Sequence, residues 1–178
     1  MKLEGIKSKF TIERVGDLVE IFWKAYCQCH QGYSKNEYIF VASINDIGRV
    51  VSVDLIEISS PEKRSIPIRY IIAPVLRENC WQFAVCHNHP SGCAEPSLED
   101  IQFTKNLKEV SKMLGLNFVD HIILTDEGYY FSFTEAGKWV FKELEKFEKE
   151  KQKEKELEFK PLKPHMTDLK NASKYLRT

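Results

Sequence analysis

The segment spanning residues 81–100 restricts the fold more than any other part of the chain. Residues 81–86 form a short apolar run that predicts a buried strand, and His87 and His89 follow it directly. Prolines at positions 90 and 96 and a glycine at 92 then interrupt regular structure. Ser97-x-x-Asp100 opens an amphipathic run and is typical of a capped helix start. The fold must therefore bring a strand end, a loop and a helix start together.

Two histidines and an aspartate in this segment predict a metal site. Successive side chains of a strand point to opposite faces, so His87 and His89 share one face. Helical side chains tilt towards the N-terminus, so Asp100 in the first turn can reach back to both imidazoles. This set suits Zn²⁺ with a fourth position open for water, although non-haem iron uses the same set. Cys93, in the intervening loop, is a thiol that could also approach the metal.

Each of these residues alone has an ordinary structural explanation. A His-x-His pair on a strand usually binds nothing, and Ser97 alone would be a helix cap. Asp100 alone would be a carboxylate favoured by the helix dipole. The metal-site prediction depends on their combination across a strand, a loop and a helix start.

Several motifs resemble a known family. His-x-His, a seven-residue spacer and Ser-x-x-Asp are similar to the signature of the JAB/JAMM (MPN+) metallopeptidase superfamily. The fuller His-Asn-His-Pro-Ser-Gly-x-x-x-Pro-Ser-x-x-Asp resembles its bacterial RadC branch, as do Asp-His-Ile-Ile-Leu at 120–124 and Tyr-Phe-Ser-Phe at 130–133. The resemblance covers residues 10–137.

The resemblance implies a zinc-dependent hydrolase that cleaves a peptide or isopeptide bond in a peptide or protein substrate. One Zn²⁺ per chain would be held by His87, His89 and Asp100. Ser97 would stabilise the developing oxyanion in addition to capping its helix. His121 is left open between a role in the site and that of a satisfied core histidine.

The resemblance also implies a general base from an upstream strand. Glu37 begins the run Asn-Glu-Tyr-Ile-Phe that resembles the start of the corresponding RadC strand, so we assign it as the base. The match is partial, because Asn36 stands where relatives usually have a basic residue. Glu57 and Glu62 are the competing candidates.

Composition bears on the alternative function, a non-catalytic or DNA-repair-associated RadC-like accessory protein. The chain has 178 residues, with 26 basic and 26 acidic side chains and a net charge of zero. This balance gives no electrostatic case for nucleic acid, although a local basic patch would. RadC proteins usually carry a DNA-associated helix-hairpin-helix region, and residues 1–9 do not contain one.

The cellular location is expected to be the cytoplasm. The sequence has no apolar run long enough to span a membrane, and its first residues lack the apolar core of a signal peptide. Its five cysteines form no disulfide pattern, which fits a reducing compartment.

The order of predicted elements is helix, two strands, helix, strand, helix, two strands. The predicted ranges are a helix at 14–29, strands at 38–44 and 50–58, a helix at 66–78, the motif strand, a helix at 98–114, and strands at 117–124 and 129–133. This order predicts an α/β fold with a mixed central sheet flanked by helices. The resemblance implies the same α-β-α architecture, similar to that of cytidine deaminases.

Three regions are expected along the chain. Residues 1–9 would form an N-terminal arm, 10–137 the metallohydrolase domain, and 138–178 a charged helix followed by a mobile tail. The nearly uninterrupted charges at 149–156 favour a solvated helix, which could also contact a partner.

Overall fold

The computed structural model describes residues 1–9, 11–29, 36–59, 66–137 and 149. The chain divides into two compact units, Met1–Leu144 and Glu145–Thr178, and the fold below is that of the first. The elements in order are β1 (Lys2–Leu3), α1 (Val15–Cys29), β2 (Glu37–Ile44), β3 (Val50–Ser59), α2 (Ile68–Arg77), β4 (Gln82–Asn88), α3 (Leu98–Met113), β5 (Asn117–Leu124), β6 (Tyr130–Ser132) and α4 (Phe133–Ala136).

The strands form one six-stranded mixed sheet in the order β1-β3-β2-β4-β5-β6. β2 pairs antiparallel with both β3 and β4, whereas β4 and β5 are parallel and are connected through α3. The parallel pair needs such a crossover because a tight turn cannot join strands that run in the same direction. The predicted mixed α/β fold is confirmed.

Helices cover both faces of the sheet. On one face, Leu18 and Phe22 of α1 pack against Phe40, Ala84 and Ile122. On the other, Ile71 of α2 and Leu107 of α3 pack against a second set of strand residues, Val41, Phe83 and Val85. Alternation along β2 and β4 accounts for the two sets, because successive side chains enter opposite cores. Burying each large apolar side chain contributes about 1.5–3 kcal/mol relative to exposure.

The strand, loop and helix of the central motif form as the sequence predicts. The backbone N–H of His89 donates to the carbonyl of Leu124 at 2.8 Å, which extends the pairing of β4 with β5 beyond Asn88. Ser97 caps α3, and Ser97 and Asp100 make the reciprocal hydrogen bonds of a capping box. α3 therefore begins with Asp100 pointing back towards the end of β4.

The main differences from the predicted elements lie at the chain ends. Residues predicted as an arm join the sheet, since Lys2 and Leu3 pair with β3 and the side chains of Leu3 and Ile6 are buried. A two-residue strand has no detectable period, so the pattern could not show it. The predicted charged helix and tail at 138–178 lie outside the described residues, apart from position 149. Within the described part of the chain, no helix combines the length and apolar character required to cross a membrane.

Candidate metal centre

The three predicted ligands converge at the C-terminal end of β4. Nε2 of His87 lies 3.0 Å from Nε2 of His89, and these nitrogens lie 3.1 and 3.2 Å from the two carboxylate oxygens of Asp100. Ligand atoms around a tetrahedral zinc ion, at bond lengths of about 2.0–2.2 Å, are separated by about 3.3–3.6 Å. The observed cluster is slightly tighter, so a small outward movement would fit zinc between the donors. Among the described residues, this is the one group of three such side chains close enough to hold an ion.

The hydrogen bonds on the far side of each ring determine which nitrogen faces the centre. Nδ1 of His89 lies 2.8 Å from the backbone carbonyl of Cys93, which can only accept, so Nδ1 carries the proton. In a neutral ring this leaves the Nε2 lone pair directed at the cluster. Nδ1 of His87 contacts His121 rather than solvent, and Nε2 of His87 also faces the cluster. Both imidazoles thus present the same type of nitrogen to a metal.

Electrostatics keep Asp100 ionised. Burial raises its pKa, but hydrogen bonds with His87 and His89, the charge of His87 and the hydrogen bond with Ser97 lower it further, so the net pKa lies far below the usual range. For His89, burial lowers the pKa, but the hydrogen bonds with Asp100 and the Cys93 carbonyl and the charges of Asp100 and Glu37 outweigh it, and the net pKa is raised. In the metal-free cluster, protons on the imidazoles supply the positive charge beside the Asp100 carboxylate, and a metal cation would take their place.

Ser97 is tied to Asp100. Its hydroxyl and its backbone N–H donate to Oδ2 of Asp100 at 2.6 and 2.8 Å, and the hydroxyl accepts from the Asp100 N–H at 3.1 Å. The capping role inferred from the sequence is present. The predicted oxyanion contact would require this hydroxyl to turn its proton away from Asp100.

Glu37 lies on the strand next to the motif strand. Ile39 of β2 pairs antiparallel with His87 of β4. Glu37 comes two residues before Ile39, and His89 comes two residues after His87, so strand alternation puts both on the face of the sheet that His87 occupies. The charge of Glu37 contributes to the raised pKa of His89, which places the carboxylate within electrostatic reach of the cluster. Glu57 belongs to β3, which is one strand further from β4, and Glu62 lies outside the described residues.

The asparagine between the two histidines holds the backbone at Glu37. The Asn88 side-chain oxygen accepts from the N–H of Tyr38 at 2.7 Å, and its amide nitrogen donates to the carbonyl of Asn36 at 3.2 Å. These contacts lie immediately before and after Glu37. One side chain of the His-Asn-His motif thus fixes the backbone that carries the predicted base, a role that depends on the pairing of β2 with β4 and that the motif alone does not reveal.

His121 is fully enclosed beside the ligands. The residue is 1% exposed, its ring stacks on Phe133 at a centroid distance of 5.0 Å, and its nitrogens contact His87 and Thr104. Burial and then the charge of His87 lower its pKa well below the usual value, so the ring is neutral. The sequence left its role open, and the structure places it directly behind a candidate ligand. The Asp-His-Ile-Ile-Leu motif was the available signal.

Cys93 contributes its backbone rather than its thiol. Its carbonyl accepts from His89, whereas the residue is exposed and its sulfur does not belong to the group of converging ligand atoms. The described geometry gives no support to a thiolate ligand at this centre.

Comparison with known sequences identifies the family. The family model described as RadC-like JAB domain matches residues 15–138, a range that contains every residue of this centre. The chain belongs to this family. A UPF0758 protein of Thermotoga maritima is 32% identical over 127 residues, which cover 71% of this chain and 57% of that protein. One from Alkaliphilus metalliredigens is 37% identical over 98 residues, covering 55% of this chain and 42% of its own length.

The matches cover only part of each relative. A third UPF0758 protein, from Porphyromonas gingivalis, is 32% identical over 101 residues, which cover 57% of this chain and 44% of that protein. This chain therefore spans about half the length of the curated relatives it matches. The names of these relatives state no activity.

Proposed function

We propose that this RadC-like JAB domain is a zinc-dependent hydrolase of peptide or isopeptide bonds. The observation that carries the proposal is the convergence of His87, His89 and Asp100, with both Nε2 atoms directed at an ionised carboxylate. Two imidazoles and one carboxylate match the three-protein-ligand set of catalytic zinc sites. Membership of the JAB family supports the same chemistry.

The donor set fits zinc, and the roles of the chain's own residues follow from its position. A zinc ion held there would polarise a substrate carbonyl and increase the acidity of a water molecule. Glu37 would accept the proton from that water and later deliver it to the leaving amine. Two observations support this assignment: Glu37 lies on the strand next to β4, and its charge contributes to the raised pKa of His89.

Ser97 would act on the other side of the reacting carbonyl. Its hydroxyl is the only side-chain donor of the capping box, and this exposed residue places it 2.6 Å from Oδ2 of Asp100, a candidate ligand. Rotation of the hydroxyl away from Asp100 would direct its proton at a developing oxyanion. The backbone N–H of Ser97 would remain on Oδ2 and keep Asp100 in place.

Metal content and cleavage measured together test the proposal. Purified protein should contain close to one zinc per chain by elemental analysis and should cleave members of a library of peptides and isopeptide-linked conjugates. Glu37→Gln keeps the size of the side chain but cannot accept a proton. It should retain zinc and lower turnover by about 10²-fold or more.

Glu57→Gln is the matched control, because it makes the same chemical change one strand further from β4. It should leave turnover close to that of the wild type. Full activity in Glu37→Gln combined with loss of activity in Glu57→Gln would show that Glu57, and not Glu37, is the base. Protein that binds no zinc and cleaves nothing would contradict the proposed function.

A nucleic-acid accessory role makes a different prediction. With no net positive charge to release counterions, DNA binding should be weak and abolished by modest salt. Sub-micromolar binding to duplex DNA at about 0.15 M salt would favour that role over hydrolysis.

A further inference from the structure

A chain of three hydrogen bonds joins two of the candidate ligands behind the metal-facing side of the site. Nδ1 of His87 lies 2.8 Å from Nε2 of His121. Nδ1 of His121 lies 2.6 Å from Oγ1 of Thr104, and this hydroxyl lies 2.7 Å from the backbone carbonyl of Asp100. The chain thus starts on one ligand and ends on the backbone of another. All of its side chains belong to buried residues.

The end of the chain fixes the direction of every proton in it. The Asp100 carbonyl can only accept, so the single hydroxyl proton of Thr104 is donated to it. The Thr104 oxygen then accepts from Nδ1–H of His121. His121 is buried, and its two nitrogens contact an imidazole and a hydroxyl rather than a carboxylate, so a charged ring would be costly at this place. In the neutral ring Nε2 has no proton and accepts from Nδ1–H of His87. When the ring of His87 is neutral, its remaining nitrogen, Nε2, has a lone pair that points at the candidate metal position.

We propose that Thr104 and His121 are positioning residues that lock His87 in the tautomer able to bind metal. The inference rests on the proposed metal centre. With the opposite tautomer, Nε2 of His87 would carry a proton that metal binding must first displace. The ring of His121 is itself held by stacking on Phe133 and by an edge contact with Phe103 at 5.7 Å, so it cannot turn freely to another partner.

The hydrogen bond between a helix hydroxyl and the carbonyl four residues earlier, which would be a purely structural role for Thr104, also occurs at Ser111 on the same helix. Ser111 is also buried, and its hydroxyl donates to the carbonyl of Leu107, four residues earlier, at 2.6 Å. Thr104 makes the same type of contact to Asp100. Thr104 differs from Ser111 in its second contact, with His121. We call the hydrogen bonds that run from Thr104 through His121 to His87 the relay. A comparison of positions 104 and 111 therefore separates the effect of the relay from that of the local helix hydrogen bond.

Four variants test the relay, with zinc affinity measured by competition against a chromophoric chelator. Thr104→Val has nearly the same shape but lacks the hydroxyl, and His121→Phe keeps an aromatic ring against Phe133 but lacks the acceptor. Both should weaken zinc binding by about 10–100-fold, the usual effect of losing a group that orients a metal ligand. Thr104→Ser restores the hydroxyl and should bind zinc like the wild type. Ser111→Ala should also bind like the wild type.

The protonation of the rings gives a second readout that requires neither metal nor substrate. Long-range ¹H–¹⁵N spectra of metal-free protein should show His87 protonated at Nδ1 in the wild type and in Thr104→Ser. Thr104→Val should shift the proton of His87 to Nε2 or divide it between the two nitrogens. Thermal melts of all variants establish that each one is folded.

The outcomes distinguish the relay from the metal centre. Unchanged affinity and tautomer in Thr104→Val, or an equal loss of affinity in Ser111→Ala, would overturn the relay. If the wild type bound no zinc, the proposed function would fail. The His87 tautomers would then still decide whether Thr104 and His121 hold that ring.

Discussion

On one face of the sheet, α2 and α3 each contribute to a contact between a carboxylate that is largely shielded from water and nearby nitrogen atoms. The two contacts differ in whether they leave room for a metal ion. Under α2, Asp54 of β3 is 1% exposed, and Nη2 of Arg77 contacts both of its oxygens at 2.8 and 2.9 Å. At the start of α3, the side chain of Asp100 is 18% exposed and faces the Nε2 atoms of His87 and His89. Asp54 is buried and Asp100 is half-buried, and the carboxylates of both lie next to nitrogen atoms.

The nature of the nitrogen separates a structural ion pair from a binding site. A guanidinium is permanently charged and can only donate, so Arg77 balances the negative charge of Asp54. The imidazoles have their Nδ1 protons engaged elsewhere, and each Nε2 atom can release its proton and turn a lone pair towards a metal ion beside Asp100. Three electron-pair donors therefore meet without a permanent positive charge among them. Such a cluster is completed by a cation, whereas the Asp54–Arg77 pair is complete within the chain.

The largest expected effect comes from removing the negative charge at each place in turn. At a zinc concentration of 100 times Kd, bound zinc should stabilise the wild type by about 2.7 kcal/mol. Asp100→Asn should abolish most of this gain, because an amide is a far weaker zinc ligand. Asp54→Asn should keep the whole gain. The measurement is thermal unfolding with and without zinc, and an equal zinc-induced shift in both variants would break the distinction.

Removing the positive charge of Arg77 should lower the free energy of unfolding without changing zinc affinity. Arg77→Leu removes the charged partner of Asp54 and leaves it only the hydroxyl of Ser52, 3.5 Å from Oδ2. A buried acceptor that loses its partner costs about 1–3 kcal/mol. Arg77 is 51% exposed, so water can reach part of the vacated space, and we expect the lower half of that range. Urea unfolding measures the loss. Arg77→Lys, which keeps the charge, should lose less, and zinc affinity should be unchanged in both variants.

The ligands of the centre were predictable because they follow local geometry. Strand alternation relates His87 to His89, and the capping pattern places Asp100 in the first turn of α3. The elements that carry them were predicted within a few residues of their observed bounds, because the apolar periods of α1 and β5 are strong and Gly115, which ends α3, has the positive φ of +70° that favours glycine at that position.

The supporting contacts were not predictable because they depend on the register between strands distant in the sequence. His121 reaches His87 because β5 lies parallel to β4 with His121 opposite Val85. Asn88 reaches the backbone around Glu37 through the antiparallel pairing of β2 with β4. Asp54 and Arg77 belong to different elements whose contact no local pattern reveals. Sequence spacing determines which residues share an element, but strand register determines which elements share a site.

Asn88 provides a smaller test, at a buried neutral amide rather than a carboxylate. Asn88→Ala removes the acceptor of the Tyr38 N–H, and a lost hydrogen bond of this kind costs about 0.5–1.5 kcal/mol. Amide exchange at Tyr38 should become faster, and turnover should fall while zinc is retained, because the backbone of Glu37 is less well held. Asn88→Asp keeps the acceptor and should preserve slow exchange at Tyr38. Wild-type exchange in Asn88→Ala would remove Asn88 from the support of the base.

Asp120 gives the smallest expected effect and completes the comparison with a carboxylate that has only neutral donors. The hydroxyl of Ser132 donates to Oδ2 at 2.6 Å and the N–H of Thr134 donates to Oδ1 at 3.0 Å, but burial outweighs them and raises the pKa of Asp120 above its ordinary value of 3.8. A group whose pKa is raised by folding stabilises the protein most below its unfolded pKa. This contribution is lost as the pH rises through the folded-state pKa. Asp120→Asn does not titrate, so the free energy of unfolding of the wild type minus that of the variant should be greater near pH 4 than near pH 7. Urea unfolding at several pH values measures this difference. A difference that increased towards pH 7 would mean that the hydrogen bonds from Ser132 and Thr134 outweigh burial, so that folding lowers the pKa of Asp120 instead.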